Sequence, residues 1–163
     1  MGEDKGCQPS ANPTSTTTET SMAAPPMNVY KINYDGQVFA GTNKLGIGVV
    51  IRDCHGQIIA VLVQQLGQAY QLLDVEALAA CRALEFGSEL GIHREIVEGD
   101  SEVVVKALGN LDNGFHSYGL LINDAALFSG LVSELLYSYT RGDGNKVAYS
   151  LALLAMIMSK CTM

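Results

Sequence analysis

Three carboxylates stand where predicted secondary-structure elements begin or end. Asp35 ends a strand of alternating polar and apolar residues, Glu76 lies in about the first turn of a long helix, and Asp100 ends another strand in the stretch EGDS. Strand ends and the start of a packed helix can converge on one spot in a mixed α/β sheet. Carboxylates brought together repel one another, which raises the pKa of at least one of them when no metal is bound. The sequence therefore predicts an acidic centre made of Asp35, Glu76 and Asp100.

Asp100 taken alone has a plainer interpretation. It precedes Ser101, and the two residues together are a good start for the next helix. Ser is a favoured N-cap, and an acidic residue is stabilised by the helix dipole. The register of Asp35 and Glu76 with Asp100 favours the acidic centre over a cap alone.

Periodicity and turn residues predict the elements that position these acids. YKINYDG alternates with strand period, two β-branched runs joined by CHG after Arg52–Asp53 predict a hairpin, and Gly91 ends an Ala/Leu-rich helix. Gly46 and Gly48 permit a close backbone approach, either of a neighbouring strand or of a nucleic-acid backbone. The order βββαβααβα predicts an α/β fold with a mixed sheet. Predicted strands cover 30–36, 45–53, 57–65, 94–100 and 131–139, predicted helices cover 72–90, 101–108, 118–128 and 145–158, and 111–117 is a predicted loop.

Composition limits the class of protein. The chain has 163 residues and a net charge of -7, with no basic cluster, which argues against tight non-specific binding of nucleic acid. Residues 1–29 are rich in Ser, Thr and Pro, and we expect a disordered arm followed by one domain, residues 30–163. The arm lacks the apolar segment of a signal peptide, and the longest apolar stretch, 147–158, is shorter than the ~20 residues that cross a membrane.

The cysteines are scattered. They form no CxxC pair and no zinc spacing with the histidines, so we expect buried thiols and a soluble, intracellular protein in a reducing compartment. They are Cys7, Cys54, Cys81 and Cys161.

Five motifs occur in a consistent order along the chain. They are NYDG, GIGVVIRDCHGQIIA, EALAACRALEFGSELGI, VEGDSEVVVKAL and RGDGNKVAYSLA. Together they resemble the ribonuclease H-like domain of plant proteins related to retroelement reverse transcriptases, over residues 30 to about 155. The resemblance implies a five-stranded mixed sheet with its first three strands antiparallel and helices on both faces.

The resemblance also implies an activity. Members of this family are hydrolases that cleave the RNA strand of an RNA/DNA hybrid with two Mg²⁺ ions, or Mn²⁺, held by carboxylates. Asp35, Glu76 and Asp100 match the first three acids of the family and would be catalytic and metal-binding. Asp35 would bridge both ions, while Glu76 and Asp100 would each hold one ion and orient the attacking water. Mg²⁺ prefers such hard oxygen ligands, and two ions clamp the attacking and leaving oxygens of a phosphate displacement.

The fourth acid of the family is missing. The family places Asp or His four residues after the Asn of the last helix, where this chain has Tyr149 after Asn145. A phenol is a poor metal ligand at neutral pH because its ordinary pKa is about 10. The preceding loop, YTRGDGN, also lacks the His found in many active members, and Asp143 between two glycines is typical of a turn. We therefore expect one weakened metal site.

Two functions stay open from the sequence, with a third that is unrelated to the family. The first is the endonuclease. The second is a catalytically impaired module that binds nucleic acid or protein, which Tyr149, the missing loop His and the acidic balance of the chain favour; the cations near the acids are sparse. The third is a small doubly wound domain whose EGDS segment binds a nucleotide ribose and whose sheet would be parallel. The cations are Lys31, Lys44, Arg52, Arg141 and Lys146.

Overall fold

The computed structural model describes residues 25–67, 72–110 and 119–158. The predicted loop at 111–117 and residues 1–24 of the predicted arm lie outside these ranges, while Val29, near the end of the arm, is buried. None of the helices in the described ranges is long and apolar enough to cross a bilayer. In chain order the elements are β1 (Tyr30–Phe39), β2 (Lys44–Arg52), β3 (Ile58–Leu66), α1 (Leu72–Glu89), β4 (Arg94–Gly99), α2 (Glu102–Asn110), α3 (Gly119–Ser129), β5 (Glu134–Tyr139), a 3₁₀ turn (Gly142–Asn145) and α4 (Lys146–Met158).

The strands form one mixed sheet in the order β3-β2-β1-β4-β5. β1 pairs with β2 and β2 with β3 in antiparallel fashion, whereas β4 pairs parallel with β1 and with β5. The prediction of a mixed sheet with three antiparallel opening strands is confirmed. The all-parallel sheet of the third reading is wrong, because the hairpin between β2 and β3 enforces antiparallel pairing.

The hairpin turn is held by a side chain. The carboxylate of Asp53 accepts hydrogen bonds from the backbone N–H groups of His55 and Gln57, at 2.8 and 2.9 Å. Gly56 supplies the left-handed backbone that the turn needs, with φ at 75°. The local sequence DCHG thus encodes the turn that sets the register of β2 and β3.

Helix α4 packs on one face of β2 through small residues. A Cβ atom added to Gly48 would meet the carbonyl oxygen of Ala148, and one added to Gly46 would meet that of Ala152. The close approach predicted at these glycines is therefore made by a helix, rather than by a strand or a nucleic-acid backbone.

Helix α1 packs on the opposite face. A Cβ atom added to Gly36 would lie 2.6 Å from Cγ1 of Val75, so the glycine lets the start of α1 approach β1. At its other end α1 stops at Gly91, whose φ is 72°. The N–H groups of Gly91 and Ile92 donate to the carbonyls of Ser88 and Gly87, both at 3.0 Å, which is the Schellman motif expected of a glycine after a helix.

The position of Asp35 differs from the expectation. It was expected at the end of the first strand, but β1 continues to Phe39 because β2 pairs with it as far as Phe39 and Lys44. The other neighbour of β1 is shorter, since the last parallel pair joins Asn33 and Glu98. Asp35 therefore lies in the middle of β1, just beyond the point where β4 stops pairing.

Candidate metal centre

The three predicted acids come together. Each of Asp35, Glu76 and Asp100 offers one carboxylate oxygen, and these oxygens all lie within 4.8 Å of one another. Asp35 and Glu76 are buried and Asp100 is partly buried. They come from three elements, β1, α1 and the residue after β4. The acidic centre is thus a tertiary feature, formed by residues 24 to 65 positions apart in the chain.

Gly36 explains how a helix on the far face reaches this centre. Asp35 pairs with Gly48 in the β1–β2 ladder, and side chains of paired residues lie on the same face, which is the face that α4 covers. Glu76 belongs to α1 on the opposite face. Because Gly36 has no side chain, Val75 packs on the backbone of β1 and the next residue, Glu76, reaches Asp35.

The chain after β4 is shaped for both of its predicted roles. The side-chain oxygen of Ser101 accepts a hydrogen bond from the N–H of Val104 at 3.4 Å, which caps α2 as expected. Asp100 makes no such cap and instead faces the other two acids. Of the two interpretations of Asp100, helix cap and member of the acidic centre, the structure favours the second, because Ser101 caps α2 while Asp100 lies in the cluster.

Electrostatics in the cluster oppose full ionisation. Burial, followed by the charge of Asp35 and a hydrogen bond to it, raises the pKa of Glu76 to about 10. Burial also raises the pKa of Asp35, with the charge of Asp100 adding to the rise. Burial raises the pKa of Asp100 as well. The metal-free cluster therefore holds at least one proton at neutral pH, as predicted for carboxylates in close contact.

The cluster has the composition of a site for a hard cation. Among the described residues no Lys, Arg or His forms an ion pair with any of the three acids. Oε2 of Glu76 is buried without a hydrogen-bond partner, whereas Oδ2 of Asp35 accepts one hydrogen bond from Gln37 at 2.8 Å. Buried oxygens that lack donors suit a divalent ion such as Mg²⁺, which takes oxygen ligands and keeps several waters. The residues present fit a metal.

A second buried polar group lies next to the cluster, and the sequence analysis did not predict it. The ammonium of Lys31 lies 3.1 Å from Oε1 of Glu98, and both side chains are almost fully buried. The amide of Asn33 donates to Oε1 of Glu98 at 3.0 Å and to Oδ1 of Asn145 at 3.1 Å. Ser138 donates to Oε2 of Glu98 at 3.0 Å. We call Lys31, Asn33, Glu98, Ser138 and Asn145 the paired network.

The paired network corrects the role expected for Lys31. This lysine was counted among the cations near the acidic site, yet it forms a buried ion pair with Glu98, which neutralises its charge. A signal was present in the sequence, because Lys31 and Asn33 alternate with apolar residues in β1 and face the same way as Asp35.

Tyr149 lies in the first turn of α4. Ala148 rests on Gly48, the ladder partner of Asp35, so the first turn of α4 starts one strand away from that acid. A right-handed helix that runs antiparallel to β2 on this face directs residue 149 toward β1, since successive residues turn by about 100°. The phenol is 45% exposed, so there is room for another side chain at this position.

The structure also places Asp143 and the remaining cations that the sequence analysis considered. Asp143 is exposed in the 3₁₀ turn and is not part of the cluster. Lys146 and Arg141 are exposed, and Lys44 and Arg52 are partly exposed. These four cations remain the candidates for contact with phosphates.

An apolar pocket of about 290 Å³ lies elsewhere on the sheet. Its lining comes from the starts of β4 and β5 together with Pro26 and Val29, whereas Asp100 follows the end of β4. The pocket is therefore separate from the acidic cluster.

Comparison with known proteins places this geometry in a family. The sequence matches the family model described as reverse transcriptase-like over residues 33–155. No match was found among curated proteins. Similar solved structures include ribonuclease H1 from the halophilic archaeon Halobacterium salinarum NRC-1, with a TM-score of 0.73 and 21% identity over 80% of this chain and 98% of that one.

Two further solved structures have the same fold. The N-terminal ribonuclease H domain of a Mycobacterium tuberculosis protein has a TM-score of 0.72 and 22% identity over 81% of this chain and 96% of that one. LC11 ribonuclease H1, solved with an RNA/DNA hybrid, has a TM-score of 0.70 and 23% identity over 80% and 99%. These similarities show the ribonuclease H fold. Because the family match spans most of its length, this chain belongs to the reverse transcriptase-like family.

Proposed function

We propose that the domain is a metal-dependent endonuclease of the ribonuclease H type, which hydrolyses the RNA strand of an RNA/DNA hybrid. The observation that carries the proposal is the cluster of Asp35, Glu76 and Asp100, of which one oxygen each lies within 4.8 Å of the others and with which no Lys, Arg or His of the described residues forms an ion pair. The similar protein LC11 ribonuclease H1 was solved in complex with an RNA/DNA hybrid, which supports the substrate class.

The proposed cofactor is Mg²⁺ or Mn²⁺, with two ions in the active form. Such ions would stabilise the attacking and leaving oxygens of the phosphate displacement. Asp35 would contact both ions, and Glu76 and Asp100 would help to hold them, since one oxygen of each acid lies within 4.8 Å of the others. Glu76 must release its proton when a metal binds, so metal affinity would rise with pH.

The second candidate function is a binding module with impaired catalysis. Tyr149 occupies the position where the family has its fourth ligand, and a neutral phenol contributes little to a Mg²⁺ site. The paired network removes Lys31 from the set of cations available for phosphates.

Two further proposals rest on the sequence alone. The five motifs suggest a kinship with plant, retroelement-related members of the family, and the composition of residues 1–29 suggests an arm that precedes a domain of residues 30–163.

Cleavage of a labelled RNA/DNA hybrid by the purified full chain, in Mg²⁺ and in Mn²⁺, tests both candidates. We expect cleavage that is lost in Asp100→Asn and kept in Asp143→Asn, a control with the same chemical change at an exposed acid of the 3₁₀ turn before α4. Cleavage that persists at full rate in Asp100→Asn would contradict the assignment of the site.

Substitution of Tyr149 distinguishes an enzyme with reduced activity from a domain that has lost activity together with its fourth metal ligand. We expect Tyr149→Asp to increase cleavage and the control Tyr149→Phe to leave it unchanged. Cleavage only in Tyr149→Asp would mark an intact scaffold that has lost a ligand. No cleavage by the native chain or by Tyr149→Asp, together with measurable hybrid binding, would favour the binding module.

A further inference from the structure

The side chain of Asn145 uses both of its hydrogen-bonding groups inside the protein. It is 1% exposed and lies at the end of the 3₁₀ turn, directly before α4. Its amide nitrogen donates to the backbone carbonyl of Tyr34 at 2.8 Å, and its amide oxygen accepts a hydrogen bond from Asn33 at 3.1 Å. Asn33 and Tyr34 are the two residues that precede Asp35 in β1. The start of α4 is thus attached to the part of β1 that leads into the acidic centre.

This attachment has a fixed direction of hydrogen bonding. The carboxylate of Glu98 only accepts hydrogen bonds, so it selects the NH₂ group of Asn33, which donates to it at 3.0 Å. The same NH₂ group donates to the amide oxygen of Asn145, which therefore turns its own NH₂ group toward the carbonyl of Tyr34. Glu98 at one end of the paired network thus determines which way the amide of Asn145 points at the other end.

Asp35 lies where β1 has lost one of its two neighbouring strands. Past the pair of Asn33 and Glu98, no β4 residue of the described ranges pairs with β1, although pairing with β2 continues. The three acids also repel one another when no metal is bound, which favours movement of Asp35 away from Glu76 and Asp100. A hydrogen bond to the carbonyl directly before Asp35 opposes that movement.

We propose that Asn145 is a positioning residue that holds Asp35, through the carbonyl of Tyr34, in the place where the acidic cluster binds a divalent cation. The inference rests on the metal centre of the proposed function. It assigns Asn145 no contact with the metal or with the substrate. Contacts that support metal ligands have large effects, since their loss typically weakens metal binding by about 10- to 100-fold.

Ser138 distinguishes this role from a contribution to stability alone. Like Asn145 it is 1% exposed and belongs to the paired network, where it donates to Glu98. It lies on β5, however, two strands away from β1. Loss of either side chain removes a buried hydrogen bond and should lower the free energy of unfolding. Only the loss of Asn145 should also weaken metal binding, because only Asn145 is bonded to the residue before Asp35.

Calorimetric titration of the full chain with Mn²⁺ tests the inference without relying on cleavage. We expect Asn145→Ala to bind Mn²⁺ about 10- to 100-fold more weakly than the native chain, and Ser138→Ala to keep the native affinity. Asn145→Asp isolates the bond to Tyr34, because it keeps the acceptor for Asn33 and has no donor for the carbonyl. Its added negative charge would by itself attract a cation, so weaker binding by Asn145→Asp is explained by the lost hydrogen bond.

Weaker binding by both Asn145 variants supports the positioning role, whether or not the chain cleaves a hybrid. Native or tighter binding by either variant, or an equal loss in Ser138→Ala, overturns that role and leaves the metal centre in place. A native chain that binds no Mn²⁺ overturns the metal centre and this inference with it. If Asn145→Ala fails to fold by circular dichroism, Asn145→Asp decides alone. Failure of both to fold would make Asn145 a requirement for folding and would overturn the assignment.

Discussion

Glu98 and Asp100 are two residues apart in the chain, yet the partners of their carboxylates differ completely. Glu98 has a lysine, an amide and a hydroxyl within 3.1 Å, so its charge is neutralised and its oxygens are satisfied. Asp100 faces two further carboxylates, and no Lys, Arg or His in the described part of the chain forms an ion pair with it. A buried acid is therefore not by itself a sign of a metal site. The balance of partners around it distinguishes a structural ion pair from a centre that requires an external cation.

The largest expected effect is the loss of metal binding in Asp35→Asn. Removing the central carboxylate leaves two acids, and we expect Mn²⁺ affinity to fall by more than about 100-fold, because a hard divalent ion depends on anionic oxygen ligands. The free energy of unfolding without metal should not decrease, since the substitution relieves repulsion. Isothermal titration calorimetry measures the affinity, with Asp143→Asn as the control. Equal Mn²⁺ binding by Asp35→Asn and the native chain would remove the metal centre from consideration.

Breaking the paired network at its ion pair should lower the free energy of unfolding and leave the affinity for metal unchanged. Lys31→Met leaves Glu98 buried without its counter-ion, and we expect the free energy of unfolding to fall by about 3–5 kcal/mol. The double substitution Lys31→Met with Glu98→Gln should recover a large part of that loss, because no unpaired charge remains. Urea unfolding measures both. A loss that is equally large in the double variant would mean that the network acts through packing alone.

Glu95 is a third type of buried acid, which has neither a counter-ion nor an acidic cluster around it among the described residues. Both of its carboxylate oxygens are buried without a hydrogen-bond partner, and burial raises its pKa from 4.5 to about 7. The stability from its protonated form is fully present below pH 4.5 and is lost as the pH rises through about 7. We expect the free energy of unfolding to fall by up to about 3 kcal/mol across that window.

Glu95→Gln isolates this contribution from the other acids. Urea unfolding between pH 5 and 8 should show a smaller decline in the variant than in the native chain, since glutamine does not ionise. Identical pH profiles for the two proteins would mean that Glu95 keeps its ordinary pKa in the folded state.

The smallest expected effect belongs to an exposed pair. Lys106 lies 2.7 Å from Glu102 on α2, and both side chains are more than half exposed. Lys106→Ala should change the free energy of unfolding by less than about 0.5 kcal/mol at moderate salt, because solvent and ions screen such pairs. A loss of several kcal/mol would show that distance, rather than burial, sets the strength of ion pairs in this protein.

Local signals predicted most of the elements. The DCHG turn, the glycine after α1 and the serine before α2 act through neighbours in sequence, and each is confirmed by its own hydrogen bonds. Element ends were less certain, since β5 begins at Glu134 rather than at 131. The meeting of Asp35, Glu76 and Asp100 followed from strand and helix order together with the family resemblance.

The sequence by itself determined the element order, the hairpin that makes the opening strands antiparallel, and the positions of Glu76 near the start of α1 and of Asp100 after β4. Tertiary structure alone decided how far β1 extends, that Lys31 neutralises Glu98, and that α4 rests on Gly46 and Gly48. The physical reason is the separation in sequence between the residues that interact. Turns and caps depend on residues a few positions apart, whereas the partner of a buried charge and the helix above a glycine come from more than 60 positions away, where only the completed sheet brings them together.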